Sequence, residues 1–242
     1  MRSLGFFPST LVDAVLLATL LMLTGCASAP SINTYLLTAS TAESPMRQTN
    51  SGVLLVAQPR AEPGFDTALI AYTKSPFTLD YYTKSSWVDT PAQMLMPLII
   101  HAMENSRAFR AVLSLPTPVE SNFRLETNLI RMQQEFLQKP SRVRLTLRAK
   151  LIDTVTNQVL GTQLFEVTAV APSEDAYGGV QAANVAVKRI LEKLTNFVLK
   201  QVASQNGYKH LANSKEHHCN TCQTLYRQYG KRYYWIWSTS QT

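Results

Sequence analysis

The chain has 242 residues, of which 45% are hydrophobic and 16% are charged. This composition predicts one globular domain with a core of its own and short appendages. The net charge of +7 is unevenly spread, because five basic residues and one acidic residue lie in residues 207–242. The rest of the chain is only mildly basic, which argues against a nucleic-acid-binding protein.

The amino-terminal segment has the pattern of a bacterial signal peptide. Arg2 precedes an uncharged apolar run over residues 14–24, which is shorter than the roughly 20 residues of a transmembrane helix. The run ends in Leu23-Thr24-Gly25-Cys26, a match to the lipobox, where the chain is cut before Cys26 and the thiol takes diacylglycerol. We therefore predict a signal peptide over residues 1–25 and an anchor of acyl chains, such as palmitate, on Cys26.

The residues after the cleavage site predict where the mature protein lies. Residues 26–32 are small, polar and proline-containing, as is typical of a tether. Ala27 stands where lipoproteins retained in the inner membrane carry aspartate. We therefore expect an outer-membrane lipoprotein that faces the periplasm of a Gram-negative bacterium.

Strands are predicted for the first part of the mature domain. A short strand over residues 33–39 is followed by a polar loop, and residues 53–57 then form a continuous apolar run. Such a run predicts a strand that is buried on both faces. Two further strands are predicted over residues 68–73 and 78–88, the second of which is rich in Tyr, Thr and Trp.

A helix is predicted to begin after Thr90. The sequence Thr90-Pro91-Ala92-Gln93 has a capping residue, a proline at the first helical position and a glutamine three residues after the cap. Apolar residues then recur at helical spacing on one face: Leu95, Leu98, Ile99, Ala102 and Met103. Pro97 lies early in this pattern and is expected to interrupt and bend the helix.

Two long alternating segments predict strands with one apolar and one polar face. In residues 123–130, Phe123, Leu125 and Leu129 share one side. In residues 142–151 the apolar side consists of Val143, Leu145, Leu147, Ala149 and Leu151, opposite Arg142, Arg144, Thr146, Arg148 and Lys150. Alternation with a period of two over this length is strong evidence for strands.

The chain closes with a hairpin and a helix. Residues 153–157 are short enough for a hairpin turn into a strand over residues 158–171. A helix over residues 179–203 has a stripe made of Val180, Ala183, Val187, Ile190, Leu191, Leu194, Val198 and Val202. We predict an α/β fold in which a mixed, mainly antiparallel sheet packs with two principal helices, as a single domain over residues 33–203.

Several stretches resemble a known family. They are VLLVAQPRAEPGFDTALIAY, SSWVDTPAQMLMPLIIHAMENSRAFRAV, RLETNLIRMQQEF, PSRVRLTLRAKLID and the closing amphipathic helix. In this order, and together with the lipobox, they resemble the ABC-type transport auxiliary lipoproteins, which include the lipoprotein of the paraquat-inducible intermembrane transport system. The similarity covers residues 33–203, and the family pattern ends near Ser204.

The resemblance implies a non-enzymatic accessory of an ABC transporter that moves lipids between the inner and outer membranes. The implied partners are a permease, an ATPase and a periplasmic protein with mammalian-cell-entry (MCE) domains. An α/β sandwich fold is implied as well. No cofactor is expected, and the chain contains neither GxxxxGK[ST] nor GxGxxG. The sequence leaves the oligomeric state open, including a homo-oligomer.

The tail over residues 204–242 is not explained by the resemblance. His217, His218, Cys219 and Cys222 could together bind zinc, although adjacent histidines beside a CxxC make a poor tetrahedral site. A redox site or a local disulfide are alternatives, and a poorly ordered extension is the interpretation we favour. The aromatic run 233–237 after two basic residues fits either a membrane-interface anchor or packing onto the domain.

The basic side of residues 142–151 is the candidate partner-binding surface. Arg142, Arg144 and Arg148 could contact lipid headgroups or an acidic partner, but pairing across the sheet with Glu126 or Glu135 is the favoured alternative. Trp87, with the neighbouring tyrosines, could line a contact, although an aromatic residue in a strand is more often part of the core.

No catalytic set is predicted, since His101 is the single histidine within the predicted domain. The leading hypothesis is therefore a binding and assembly component, not an enzyme. The competing classes are a structural envelope lipoprotein and a redox or zinc protein that uses the tail cluster.

Overall fold

The structure is a computed structural model, and it describes residues 31–38 and 51–205. The chain divides into two compact units, Met1–Ile32 and Asn33–Thr242, and the fold described below is that of the second. The signal-peptide segment, Cys26 and the cluster of His217, His218, Cys219 and Cys222 lie outside the described residues. No helix of the described part is both long enough and apolar enough to cross a membrane.

The described residues form nine strands and two helices. The strands are β1 (Asn33–Tyr35), β2 (Val53–Val56), β3 (Arg60–Ala61), β4 (Leu69–Thr73), β5 (Asp80–Trp87), β6 (Ala111–Ser114), β7 (Phe123–Glu135), β8 (Arg142–Asp153) and β9 (Gln158–Val170). The helices are α1 (Pro91–Asn105) and α2, which covers residues 176–205.

Strand β7 organises the sheet, because all other strands attach to it directly or through one or two neighbours. On one side β8 pairs with β7 antiparallel along its whole length, and β9 then pairs with β8. On the other side β2, β3 and β4 pair with β7 one after another, all parallel to it. Strand β6 continues the sheet beyond β2, while β5 and β1 continue it beyond β4.

The two longest ladders decide the character of the sheet. They join β7 to β8 and β8 to β9, both antiparallel, as tight connections between successive strands require. The shorter strands that precede β7 pair with it in parallel and reach it through longer connections, one of which contains α1. The predicted α/β fold with a mixed, mainly antiparallel sheet and two helices is confirmed.

Both helices contribute to one hydrophobic cluster with one face of the sheet. All eight residues of the predicted stripe of α2 are buried, and so are the five apolar residues of β8. Full burial of a Val, Leu or Ile side chain stabilises a fold by about 1.5–3 kcal/mol. This face of β8 therefore carries much of the stability of the domain.

Helix α1 begins where the sequence predicts. Thr90 Oγ1 accepts a hydrogen bond from the Gln93 amide at 3.4 Å, and Pro91 occupies the first helical position. Pro97 does not interrupt the helix, which continues to Asn105. The apolar face of α1 is buried over several turns, and this packing offsets the loss of one backbone donor.

Two boundaries differ from the prediction for physical reasons. Strand β7 extends to Glu135 instead of residue 130, because a register shift between Leu129 and Arg131 reverses the phase of its buried positions. Helix α2 begins at residue 176 instead of 179, because Asp175 Oδ1 caps it by accepting the Gly178 amide at 2.7 Å. Strands β3 and β6 were not predicted, since their two and four residues show no alternation.

Candidate functional site

The outer face of β7, β8 and β9 carries a band of charged side chains. Successive side chains of a strand point to opposite faces, so the basic residues of β8 lie opposite its buried leucines. Their cross-strand neighbours include acidic residues. Lys150 is in register with Glu126 of β7, Arg142 with Glu135, and Thr146 with Glu166 of β9.

Arg144 is held between two carboxylates. Its Nε lies 2.9 Å from Glu135 Oε1, its Nη2 lies 3.1 Å from Glu135 Oε2, and its Nη1 lies 2.5 Å from Glu166 Oε1. The hydrogen bond to Glu135 raises the pKa of the Arg144 guanidinium. Glu135 is buried, so Arg144 supplies hydrogen bonds that water cannot readily replace. Arg144 therefore ties β7, β8 and β9 together.

A second ion-pair group lies further along the same face. Glu126 accepts from Lys150 Nζ at 3.4 Å and lies 3.1 Å from Arg124 Nε. All three side chains are substantially exposed, so each pair contributes at most about 1 kcal/mol. The cross-strand pairing of the basic residues with Glu126 and Glu135 is thus present, for Lys150 and Arg144 respectively.

Between β2 and β3 the sheet opens into a cavity of about 550 Å³. Strand β2 pairs with residues 123–125 of β7, and β3 pairs with residues 128 and 129, so this edge of β7, opposite β8, has no strand beside it at Glu126 and Thr127. Pro59 lies in the connecting segment and lacks the N–H that a strand would need. The opening faces the charged surface, and its polar walls are Gln58, Arg60, Glu126, Asn128, Arg148 and Lys150.

Two arginines of this cavity are exposed and lack a carboxylate partner within the described residues. They are Arg148 of β8 and Arg60 of β3, which join the cavity from opposite sides of β7. Register places Asn128 next to both, since it is paired with Arg60 and with Arg148. The alternating pattern of β8 predicts Arg148 as a contact residue, but no pattern predicts Arg60, which follows Pro59 and begins a strand of two residues without alternation.

The other predicted contact residues have different surroundings. Trp87 is only 4% exposed and belongs to the hydrophobic cluster, so in this fold it offers almost no surface to a partner. The Nε of Arg142 is buried and has no hydrogen-bond partner within residues 31–38 and 51–205. Tyr82 donates to Gln134 Oε1 at 2.9 Å, and burial raises the pKa of its hydroxyl to about 12.

The described residues include no group of three or more His, Cys, Asp or Glu side chains that could hold a metal ion. His101 is exposed on α1, where its Nδ1 contacts Glu104 Oε2 at 3.2 Å. The charged face instead surrounds an open cavity with hydrogen-bond donors and charged side chains. This arrangement can bind an acidic or polar partner through Arg60 and Arg148.

Comparison with known structures supports the fold. Protein XCC0632 from Xanthomonas campestris is similar over 72% of this chain and 99% of its own, with 23% identity and a TM-score of 0.67. An uncharacterized protein is similar over 69% of this chain and 99% of its own, with 11% identity and a TM-score of 0.56. At these identities the likeness concerns the fold alone. No curated protein matches the sequence.

Comparison with family models assigns the chain to a protein family. Residues 35–195 match the model of the ABC-type transport auxiliary lipoprotein component. The match spans β2 to β9, α1 and most of α2, so it includes most of the hydrophobic cluster and the charged face with its cavity. The chain belongs to the family of ABC-type transport auxiliary lipoproteins.

Proposed function

We propose that this protein is an accessory of an MCE-type ABC system that moves lipids between the inner and outer membranes. It acts by binding and assembly, as a lipoprotein anchored through Cys26 to the periplasmic face of the outer membrane. Its working domain covers residues 33–203. The observation that carries the proposal is the family match over residues 35–195, because that family serves ABC-type transport.

We propose further that the cavity on the charged face is where the domain docks the periplasmic MCE-domain protein. Arg148 and Arg60 are exposed there and have no carboxylate partner in the described part of the chain. An acidic partner can satisfy them without displacing an existing ion pair. Arg144 is a poorer docking residue, since Glu135 and Glu166 already engage its guanidinium.

The test is co-purification of the MCE-domain protein with lipoprotein extracted from membranes. In the double variant Arg60→Glu and Arg148→Glu, both free positive charges of the cavity are reversed. Like charges that face each other across an interface cost several kcal/mol, so we expect recovery of the partner to fall about tenfold or more. The melting temperature should change little, because exposed charges contribute little to stability.

The matched control is the double variant Lys188→Glu and Lys200→Glu. It makes the same change of charge on exposed positions of α2, which packs on the opposite face of the sheet. Partner recovery should equal that of the unchanged protein. If both double variants recover the partner equally well, the cavity is not the docking site. If the unchanged lipoprotein brings down no component of a transport system, the transport proposal itself fails.

The proposed anchor has its own test. Cys26→Ser removes the thiol that accepts diacylglycerol, so the variant should remain uncleaved or become soluble in the periplasm. Membrane fractionation and mass spectrometry of the amino-terminal peptide measure this outcome. A variant that is still processed and found in the outer-membrane fraction contradicts the lipoprotein mechanism.

A further inference from the structure

Two neighbouring loops at one end of the sheet expose apolar side chains. Residues 74–79 connect β4 to β5 and residues 136–141 connect β7 to β8; we call this the loop end. The loops lie side by side because β4 pairs with β7 as far as Thr73 and Glu135. Phe77 is fully exposed and Leu137 is 53% exposed, and with Leu79 they line a cavity of about 350 Å³ between the loops.

The exposure of Phe77 is imposed by an internally bonded loop. Thr73 Oγ1 and Thr78 Oγ1 both donate to the carbonyl oxygen of Ser75, at 2.7 and 2.9 Å. Phe77 itself has a φ of 66°, a left-handed conformation that bulky residues rarely adopt. Single exposed apolar residues are ordinary on protein surfaces. Here, however, a hydrogen-bonded loop holds Phe77 outward, and the neighbouring loop exposes Leu137. Together the two loops form an apolar tip with a defined structure.

The charges at the loop end are mixed. Lys74 and Lys139 lie on the two loops, and neither pairs with a carboxylate of the described residues. Glu174 and Asp175 lie at the same end, where Glu174 accepts the Ser141 amide at 2.8 Å and Asp175 caps α2. Glu174 and Asp175 are thus bound to backbone donors, and Asp80 is exposed at the start of β5. The projecting loops themselves combine apolar side chains with lysines and contain no acidic residue. That combination suits a lipid surface with its phosphate headgroups.

The direction of β1 bears on the distance between the loop end and the proposed anchor at Cys26. Strand β1 is parallel to β5, with Asn33 opposite Ser85, and β5 begins at Asp80 beside the loop of residues 74–79. The amino-terminal end of β1 is therefore directed towards the loop end. The seven residues from Cys26 to Asn33 span at most about 24 Å. Along β5, the distance from Ser85 to Asp80 is about 17 Å.

We propose that the loop end faces the membrane that holds the anchor, and that Phe77, Leu79 and Leu137 insert into its lipid surface. The seven-residue reach from Cys26 to Asn33 limits how far the domain can lie from the bilayer, and the amino-terminal end of β1 is directed towards the loop end. The inference rests on the proposed acylation of Cys26 but not on the identity of any transport partner. It leaves the charged face of β8, at the side of the sheet, open to the periplasm.

The experiment measures the depth of residue 77 in a bilayer. The acylated full-length chain is reconstituted into vesicles of phosphatidylethanolamine and phosphatidylglycerol, with and without brominated acyl chains that quench tryptophan. The variant Phe77→Trp is compared with Val155→Trp, whose site is 67% exposed in the turn between β8 and β9, at the opposite end of the sheet. Emission of the unchanged protein, from Trp87, Trp235 and Trp237, is subtracted from both.

We expect the added emission of Phe77→Trp to shift to shorter wavelength and to be lost in brominated vesicles, while that of Val155→Trp changes in neither respect. Equal, unquenched emission from the two variants overturns the inference. Emission of Phe77→Trp that shifts but is not quenched overturns it as well, because a protein surface then covers the loop end.

Mass spectrometry of Cys26 separates the two proposals. If Cys26 carries no acyl chains, the proposed anchor fails and this inference fails with it. If Cys26 is acylated and the Phe77→Trp variant is not quenched, only this inference fails. Melting curves of both variants serve as fold controls, and we expect them to match the unchanged protein since both sites are exposed loop positions.

Discussion

The two faces of β8 have different roles, although their residues alternate along one strand. On the inner face the apolar side chains are buried against α2 and the adjacent strands. On the outer face Arg144 forms ion pairs with Glu135 and Glu166. Arg148, four residues later, forms no ion pair with a carboxylate of the described residues. The inner face holds the domain together, and the outer face divides into a structural part and a part available to a partner.

The largest effect is expected from the inner face. Leu147 is fully buried between Leu129 of β7 and Phe165 of β9. Leu147→Ala should lower the free energy of unfolding by about 2–5 kcal/mol, since it removes buried methyl groups and leaves a cavity. Leu164→Ala is the matched control, because Leu164 is 56% exposed on the outer face and should cost less than about 0.5 kcal/mol. Urea titration compares them, and equal losses would contradict the assignment of the two faces.

A smaller effect distinguishes the two parts of the outer face. Arg144→Ala removes the ion-pair partner of the buried Glu135 carboxylate and leaves the Gln133 side-chain amide as its remaining donor among the described residues, so we expect a loss of about 1–2 kcal/mol. Arg144 is partly exposed, so solvent screening keeps the loss well below that of a fully buried pair. Arg148→Ala should change the free energy of unfolding by less than about 0.5 kcal/mol. If Arg148→Ala destabilises the domain as much as Arg144→Ala does, Arg148 is structural and a poor docking residue.

The smallest effect concerns the cap of α2, the helix that covers the inner face. Hydrogen bonds from Ser173 Oγ and from the Gly178 amide lower the pKa of the Asp175 carboxyl. A lowered folded-state pKa means that the charged cap stabilises the fold above the unfolded pKa, and that this stability is lost as the pH falls through the folded pKa. Asp175→Ala should cost about 1 kcal/mol at neutral pH.

The pH dependence of this cap is tested with Asp175→Asn, which keeps an acceptor oxygen but cannot titrate. Thermal melts from neutral pH into the acid range should show a shallower loss of stability for this variant than for the unchanged protein. Identical slopes would mean that the charge of Asp175 contributes nothing to the start of α2.

Features that depend on neighbouring residues along the chain could be predicted. Thr90 caps α1, alternation marks the buried side of β8, and the apolar stripe identifies α2, because each pattern is local and reports which side of an element is buried. The Cys/His cluster of the tail and the lipobox are also local patterns, although both lie outside the described residues.

Features that depend on which strand lies beside which were decided by the tertiary structure. Alternation does not say that β2, β3 and β4 share one edge of β7, and the cavity exists only because β2 and β3 leave a gap there. The same pairing brings Arg60 near Arg148, from positions 88 residues apart in the sequence. Burial of Trp87 and the placement of Phe77 beside Leu137 have the same origin. Period and capping are properties of a short segment, whereas a neighbour in a sheet is selected by the packing of the whole domain.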